Sequence, residues 1–115
     1  MANEECRCMA GRIDYRDFEE HVIGVDTRDG RFGEVSIHTC RWCGQRWLHY
    51  LYEHEGFTAS GRWWHGPISI EEAGLVTADA ALDVLAVLPF YYVGGSYYGG
   101  DVTRGHGPIG PILST

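Results

Sequence analysis

The chain has 115 residues with nine basic against sixteen acidic side chains, a formal net charge of −7. That length bounds it to one domain, and the charge sets it against the phosphate backbone that dominates nucleic-acid affinity. No apolar stretch reaches the length that spans a bilayer, since the longest, around residues 84–93, is interrupted by Pro89.

All nine basic residues are arginines and there is no lysine, a bias that reads as a GC-rich coding sequence of bacterial or phage origin. The start, Met1-Ala2-Asn3-Glu4-Glu5, is polar and acidic. It lacks the apolar core of a secretory leader, so a cytoplasmic location is expected. The charge is uneven. Residues 1–38 carry nine acids against five arginines, 39–69 two against three, and 70–115 five against one.

In chain order, residues 1–12 hold a first cysteine turn, with Cys6 and Cys8 as C-x-C. Residues 13–26 fit two descriptions. Tyr15, Phe18 and Val22 mark a helical face, while His21 to Val25 reads as a strand. Asp29-Gly30 is a turn signal. Val35, Ile37 and Thr39 then alternate with Glu34, Ser36 and His38, the pattern of a half-buried strand. It runs into Cys40-Arg41-Trp42-Cys43-Gly44. Residues 45–54 are aromatic and unbroken, and read as a strand with a short helix as the competing description. Glu55-Gly56 turns the chain, Phe57 to His65 returns as a strand, and Gly66-Pro67 ends it. A helix is expected over Ala78 to Leu88, with Thr77 as N-cap, Asp79 in the first turn and Leu82 and Leu85 on the buried face. Phe90 to Val93 reads as a last short strand, and from about residue 99 a Gly/Pro-rich tail follows. Trp42, Trp47, Trp63 and Trp64 are expected to furnish an aromatic core.

Two tight turns of two sulfurs each meet the tetrahedral demand of one structural zinc ion. A disulfide framework needs an oxidising compartment, and a redox pair at Cys40 and Cys43 needs no second pair of cysteines. Both remain alternatives. The turn Cys40 to Gly44 resembles the knuckle of zinc ribbons, in which two cysteine turns clamp one metal and strands leave the second turn. The resemblance covers Cys6 to Cys8 and about residues 35–65, with a tighter first pair and no proline in the second turn. It implies Cys6, Cys8, Cys40 and Cys43 as ligands of one structural Zn2+. Arg7, Arg41 and Arg46 stand where they could offset the charge of the site.

The six histidines show no H-E-x-x-H or comparable spacing, though His38, two residues before Cys40, could stand in for one cysteine. No G-x-S-x-G is present. Gly94-Gly95-Ser96 lacks the lysine of a phosphate loop. Arg62, Trp63 and Trp64, with Tyr97 and Tyr98, are of the types that dominate binding hot spots and that stack on single-stranded bases. On a strand Trp63 and Trp64 must face opposite sides.

The sequence is thus read as one α+β domain, 1–115: a small antiparallel sheet built around a four-cysteine zinc site, with one C-terminal helix packed on it. The expected function is non-enzymatic. It is a zinc-stabilised protein-interaction domain of the inhibitor, immunity or adaptor type, contacting a basic protein through Arg62, Trp63, Trp64, Tyr97 and Tyr98. The alternatives are a zinc ribbon associated with nucleic acid or transcription, and a small dithiol oxidoreductase or histidine-based hydrolase.

Overall fold

The computed structural model describes residues 6–11, 15–28, 32–52, 62–95 and 102–109. After a short 3-10 turn, Tyr15–Asp17, come strands β1 (Phe18–Asp26), β2 (Gly33–Cys40), β3 (Arg46–Tyr52) and β4 (Arg62–Ile68). Helices α1 (Ile70–Leu75) and α2 (Ala81–Val87) precede β5 (Tyr91–Gly95) and β6 (Thr103–Gly105). The six strands form one sheet in the order β1-β2-β3-β4-β5-β6, and every neighbouring pair is antiparallel. The domain is mostly sheet, so the α+β expectation holds only loosely. Among the described residues the helical share is two short α-helices rather than one.

Of residues 45–54, Arg46–Tyr52 form strand β3, for a reason visible in its burial, while 53 and 54 lie outside the described residues. Leu48, Tyr50 and Tyr52 are buried on one face, Trp47 and half-buried His49 on the other. A strand covered on both sides shows no polar alternation. The same holds for β2, where Ser36 and His38 are buried rather than solvated. Residues 18–26 are strand and not helix. A register shift between Val22 and Gly24 marks a bulge, which breaks the period-2 pattern that would have identified it.

Pro67 lies inside β4, paired with Trp47 of β3, rather than ending the strand. The pairing of β4 with β5 runs only from Arg62 to His65. At Pro67 the strand has a neighbour on one side alone, where a missing N–H is tolerated.

The first face of the sheet carries Val35, Ile37, Leu48, Tyr50, Trp64, Ile68 and Tyr91, closed by Ala81, Leu82 and Leu85 of α2. Helix α2 starts at Ala81 with Ala80 as N-cap and no side-chain capping bond. The expected start at Ala78 gives way to a turn in which Ala80 N–H donates to Thr77 O. Asp79 is engaged elsewhere: its carboxylate accepts the Thr27 N–H at 2.8 Å and the Thr27 hydroxyl at 3.1 Å. Helix α1 begins in a capping box, with Glu72 N–H donating to Ser69 Oγ and Ser69 N–H to Glu72 Oε1.

The opposite face carries a second core of Cys8, Phe18, Cys40, Trp47 and Tyr92. It is closed by the N-terminal segment, which the Tyr92 hydroxyl ties down by donating to Met9 O at 2.6 Å. The Asp29-Gly30 turn, the Glu55-Gly56 turn, and Tyr97 and Tyr98 lie outside the described residues. Among those residues no helix is long and apolar enough to cross a membrane.

Candidate metal centre

The C-x-C turn and the C-x-x-C turn meet at one edge of the second face. Cys6 Sγ lies 3.6 Å from Cys40 Sγ, and Cys8 Sγ 3.5 Å from Cys43 Sγ. A disulfide would bring sulfurs to about 2.05 Å. Zn–S bonds of about 2.3 Å in a tetrahedron set sulfurs roughly 3.8 Å apart, so the spacing fits four thiolates around one ion. All four sulfurs lie within 4.8 Å of one another. Each first-pair sulfur faces one of the second pair. Such an ion would therefore join segments more than thirty residues apart, not merely brace one turn.

Local structure aims these sulfurs. Met9 and Ala10 N–H groups both donate to Cys6 O, folding the first turn. Gly44 N–H donates to Cys40 O at 2.9 Å, and Gly44 has φ of +79°, a conformation that suits glycine. Burial alone would push the Cys40 thiol up. The backbone N–H groups of Cys43 and Trp42, with the neighbouring sulfurs, outweigh that and hold it below the ordinary thiol value. Burial pushes Cys8 strongly up, as do the sulfurs of Cys43, Cys40 and Cys6. Cys43 is also raised, chiefly by burial, against the Gln45 N–H. Sulfurs that crowd one another and resist ionisation are what a central dication reverses, since it deprotonates coordinating thiols outright.

Asp17 ties the two turns together. Its carboxylate accepts from Arg7 Nη2 at 3.2 Å and from the Trp42 indole N–H at 3.1 Å, and its carbonyl accepts the Arg41 N–H at 2.8 Å. The three arginines expected to offset the site are each engaged nearby. Arg7 is on Asp17, Arg41 on Glu19 and the Arg16 carbonyl, and Arg46 on the Gly44 carbonyl. Trp42, expected in the core, is 69 % exposed. The two turns place it outside the sheet, and Trp47 fills the core position instead.

Of the expected contact residues, Arg62 is exposed and Trp63 half-buried. Trp64 is 7 % exposed and packs edge-on against Tyr50, so it belongs to the core on the helix side. Tyr97 and Tyr98 lie outside the described residues.

Three histidines that the sequence leaves dispersed come together on the second face. His38 of β2, His49 of β3 and His65 of β4 each offer a ring nitrogen within 4.8 Å of the others. His49 and His65 are direct cross-strand partners, with their Nδ1 atoms 3.0 Å apart. His38 Nε2 lies 3.2 Å from Glu20 Oε2. Burial pushes His49 and His65 well below the ordinary histidine value, and the other histidines add to it. Burial lowers His38 too, against the opposing pull of Glu20. All three are therefore neutral imidazoles near pH 7. No spacing in the sequence signals this trio. It needs the strand register, which sets the three residues on one face.

No family model matches this chain, and neither curated proteins nor solved structures give a match. The four-cysteine cluster and the histidine trio are therefore read on their own chemistry.

Proposed function

We propose that this chain is a zinc-stabilised protein-interaction domain without turnover of its own. The four-sulfur cluster carries the reading, because it joins the N-terminal segment to the β2–β3 turn and holds Trp42 in solvent at its outer side. Soft thiolates in a closed set of four suit zinc in a structural role. An exposed tryptophan beside Arg7 and Arg41 is of the type that anchors protein interfaces. Arg62 and Trp63 offer a second contact region. The acidic flanks of the sequence favour a basic partner through faster encounter. An inhibitor, immunity or adaptor role fits a small acidic domain of this kind.

Native mass spectrometry of protein purified without chelator tests the metal. One thiolate-bound zinc per chain is expected in the wild type, and Cys43→Ser should lose it. Capture of a partner under varied salt tests the rest. Added salt should slow association, while Trp42→Ala should mainly speed dissociation. Unchanged zinc content in Cys43→Ser overturns the ligand set. A metal-free protein with a reversible Cys40–Cys43 disulfide replaces this reading with a redox one, and nucleic acid as the sole salt-sensitive partner replaces it with nucleic-acid binding.

A further inference from the structure

Three imidazoles side by side inside an aromatic shell are a costly way to fill a core. His65 is fully buried, stacks on Trp47 at 4.6 Å, and meets Phe18 edge-on at 5.1 Å. Its Nε2 has no hydrogen-bond partner among the described residues. A buried polar group left unpaired costs stability that an apolar side chain of similar size would not. His49 stacks on His38 at 4.1 Å on one side and on Trp63 at 5.8 Å on the other. Among the described residues no cation touches the trio's ring nitrogens, and the single carboxylate that does is Glu20 on His38.

We propose that His38, His49 and His65 form a second metal site, separate from the four cysteines, for one borderline divalent transition-metal ion of the zinc, cobalt, nickel or copper type. Imidazole nitrogens are the donors such ions prefer, and three protein ligands leave a further coordination position. Metal–nitrogen bonds of about 2.0–2.1 Å separate two ligand nitrogens by roughly 2.9–3.4 Å. The His49 and His65 Nδ1 atoms stand 3.0 Å apart in a hydrogen bond that a shared ion would replace at nearly the same spacing, with their rings 77° to one another. His38 is the ligand that must move. Its ring lies nearly parallel to His49, at 10°, and two stacked rings cannot both point lone pairs at one ion. A turn about its broad χ2 torsion brings it in and ends that stack. Of the three, His38 is the one with open space beside it, since it lines a cleft of about 510 Å³ with Arg16, Phe18, Glu20 and Arg41. Glu20, 3.2 Å from His38 Nε2 and half-exposed, can follow that turn and orient the ring from behind while Nδ1 takes the ion.

The two sites are distinguishable by donor. Cobalt bound to thiolates shows sulfur-to-metal charge-transfer bands, and cobalt bound to three imidazoles does not. The full chain, titrated with Co2+ and followed by absorption and native mass spectrometry, should take two ions, the second without new thiolate bands. His49→Gln should keep the thiolate-bound ion and lose the other. Cys43→Ser should lose the thiolate bands and keep the histidine-bound ion. Glu20→Gln should weaken the second site by about 10–100-fold. If His49→Gln fails to fold by circular dichroism, His38→Gln at the cleft replaces it. A wild type that saturates at one ion overturns the proposal. So does a second equivalent that survives removal of His38 or His49 in folded protein.

Discussion

Helix α2 closes the first core over Gly66, and this placement sets up a two-residue test. Leu85 is fully buried in that core. A Cβ placed on Gly66 would come 2.7 Å from Leu85 Cδ2 and 2.5 Å from Leu88 Cδ1. The close approach of helix to strand is what glycine permits there. Leu85→Ala should cost about 2–5 kcal/mol through lost transfer energy and a cavity. Gly66→Ala should cost about 1–3 kcal/mol through overpacking. The two should not add. Removing Leu85 Cδ2 takes away one of the two clashes, so the double variant should be roughly 1 kcal/mol better than the sum. Urea unfolding followed by tryptophan fluorescence, at fixed zinc, reads all three variants, and Val87→Ala at an 81 % exposed position is the control. That control should stay within about 0.5 kcal/mol of wild type. Additivity of the two changes, or a Leu85→Ala loss below half of one kilocalorie per mole, would refute the packing of α2 over β4.

Two further outcomes follow from single groups. The Tyr50 hydroxyl donates to Asp26 Oδ2 at 2.7 Å, and Asp26 is fully buried. Tyr50→Phe should therefore cost about 1.5–3 kcal/mol in the same unfolding assay, and a loss near zero would mean the carboxylate is satisfied without it. The Thr27 N–H, and then its hydroxyl, hold the Asp79 carboxyl below the ordinary value of 3.8. A depressed carboxyl contributes stability above its unfolded value and loses it as pH falls through the folded one. The melting-temperature gap between wild type and Asp79→Asn should thus be present at neutral pH and shrink in acid. A gap that grows in acid would contradict the assignment.

The four cysteines are legible as a set because close cysteine pairs carry their chemistry in their spacing. Strand β2 is legible from Val35 and Ile37, and the buried face of α2 from Leu82 and Leu85. What fails to show has physical causes. Ser36 and His38 read as solvated because nothing local reveals that both faces of β2 are covered. Helix α1 buries none of its residues, so it leaves no hydrophobic period. Its Ser69–Glu72 capping box is the one local signal it offers. Strand β6 is three residues of a tail rich in glycine and proline, held by its pairing to β5 and by little of its own propensity. Trp42 reads as interior because tryptophan usually is, whereas the two cysteines flanking it dictate its direction. The histidine trio depends on several strand registers at once, and sequence spacing encodes none of them.

An open sheet presents two borders where another chain could add a strand, and both are spoiled here. Strand β1 carries the exposed Glu19 and Glu20 along its length and the displaced residue Ile23 at its bulge. An irregular, charged border is a poor template for in-register pairing, even with Val22 and Val25 exposed on it. At the other border β6 stops after three residues, too short to nucleate a cross-β stack. Backbone augmentation, the least discriminating mode of protein association, is thereby suppressed. On the proposed interaction role, selectivity would then fall to side chains on turns, which can change without disturbing the meander that carries them.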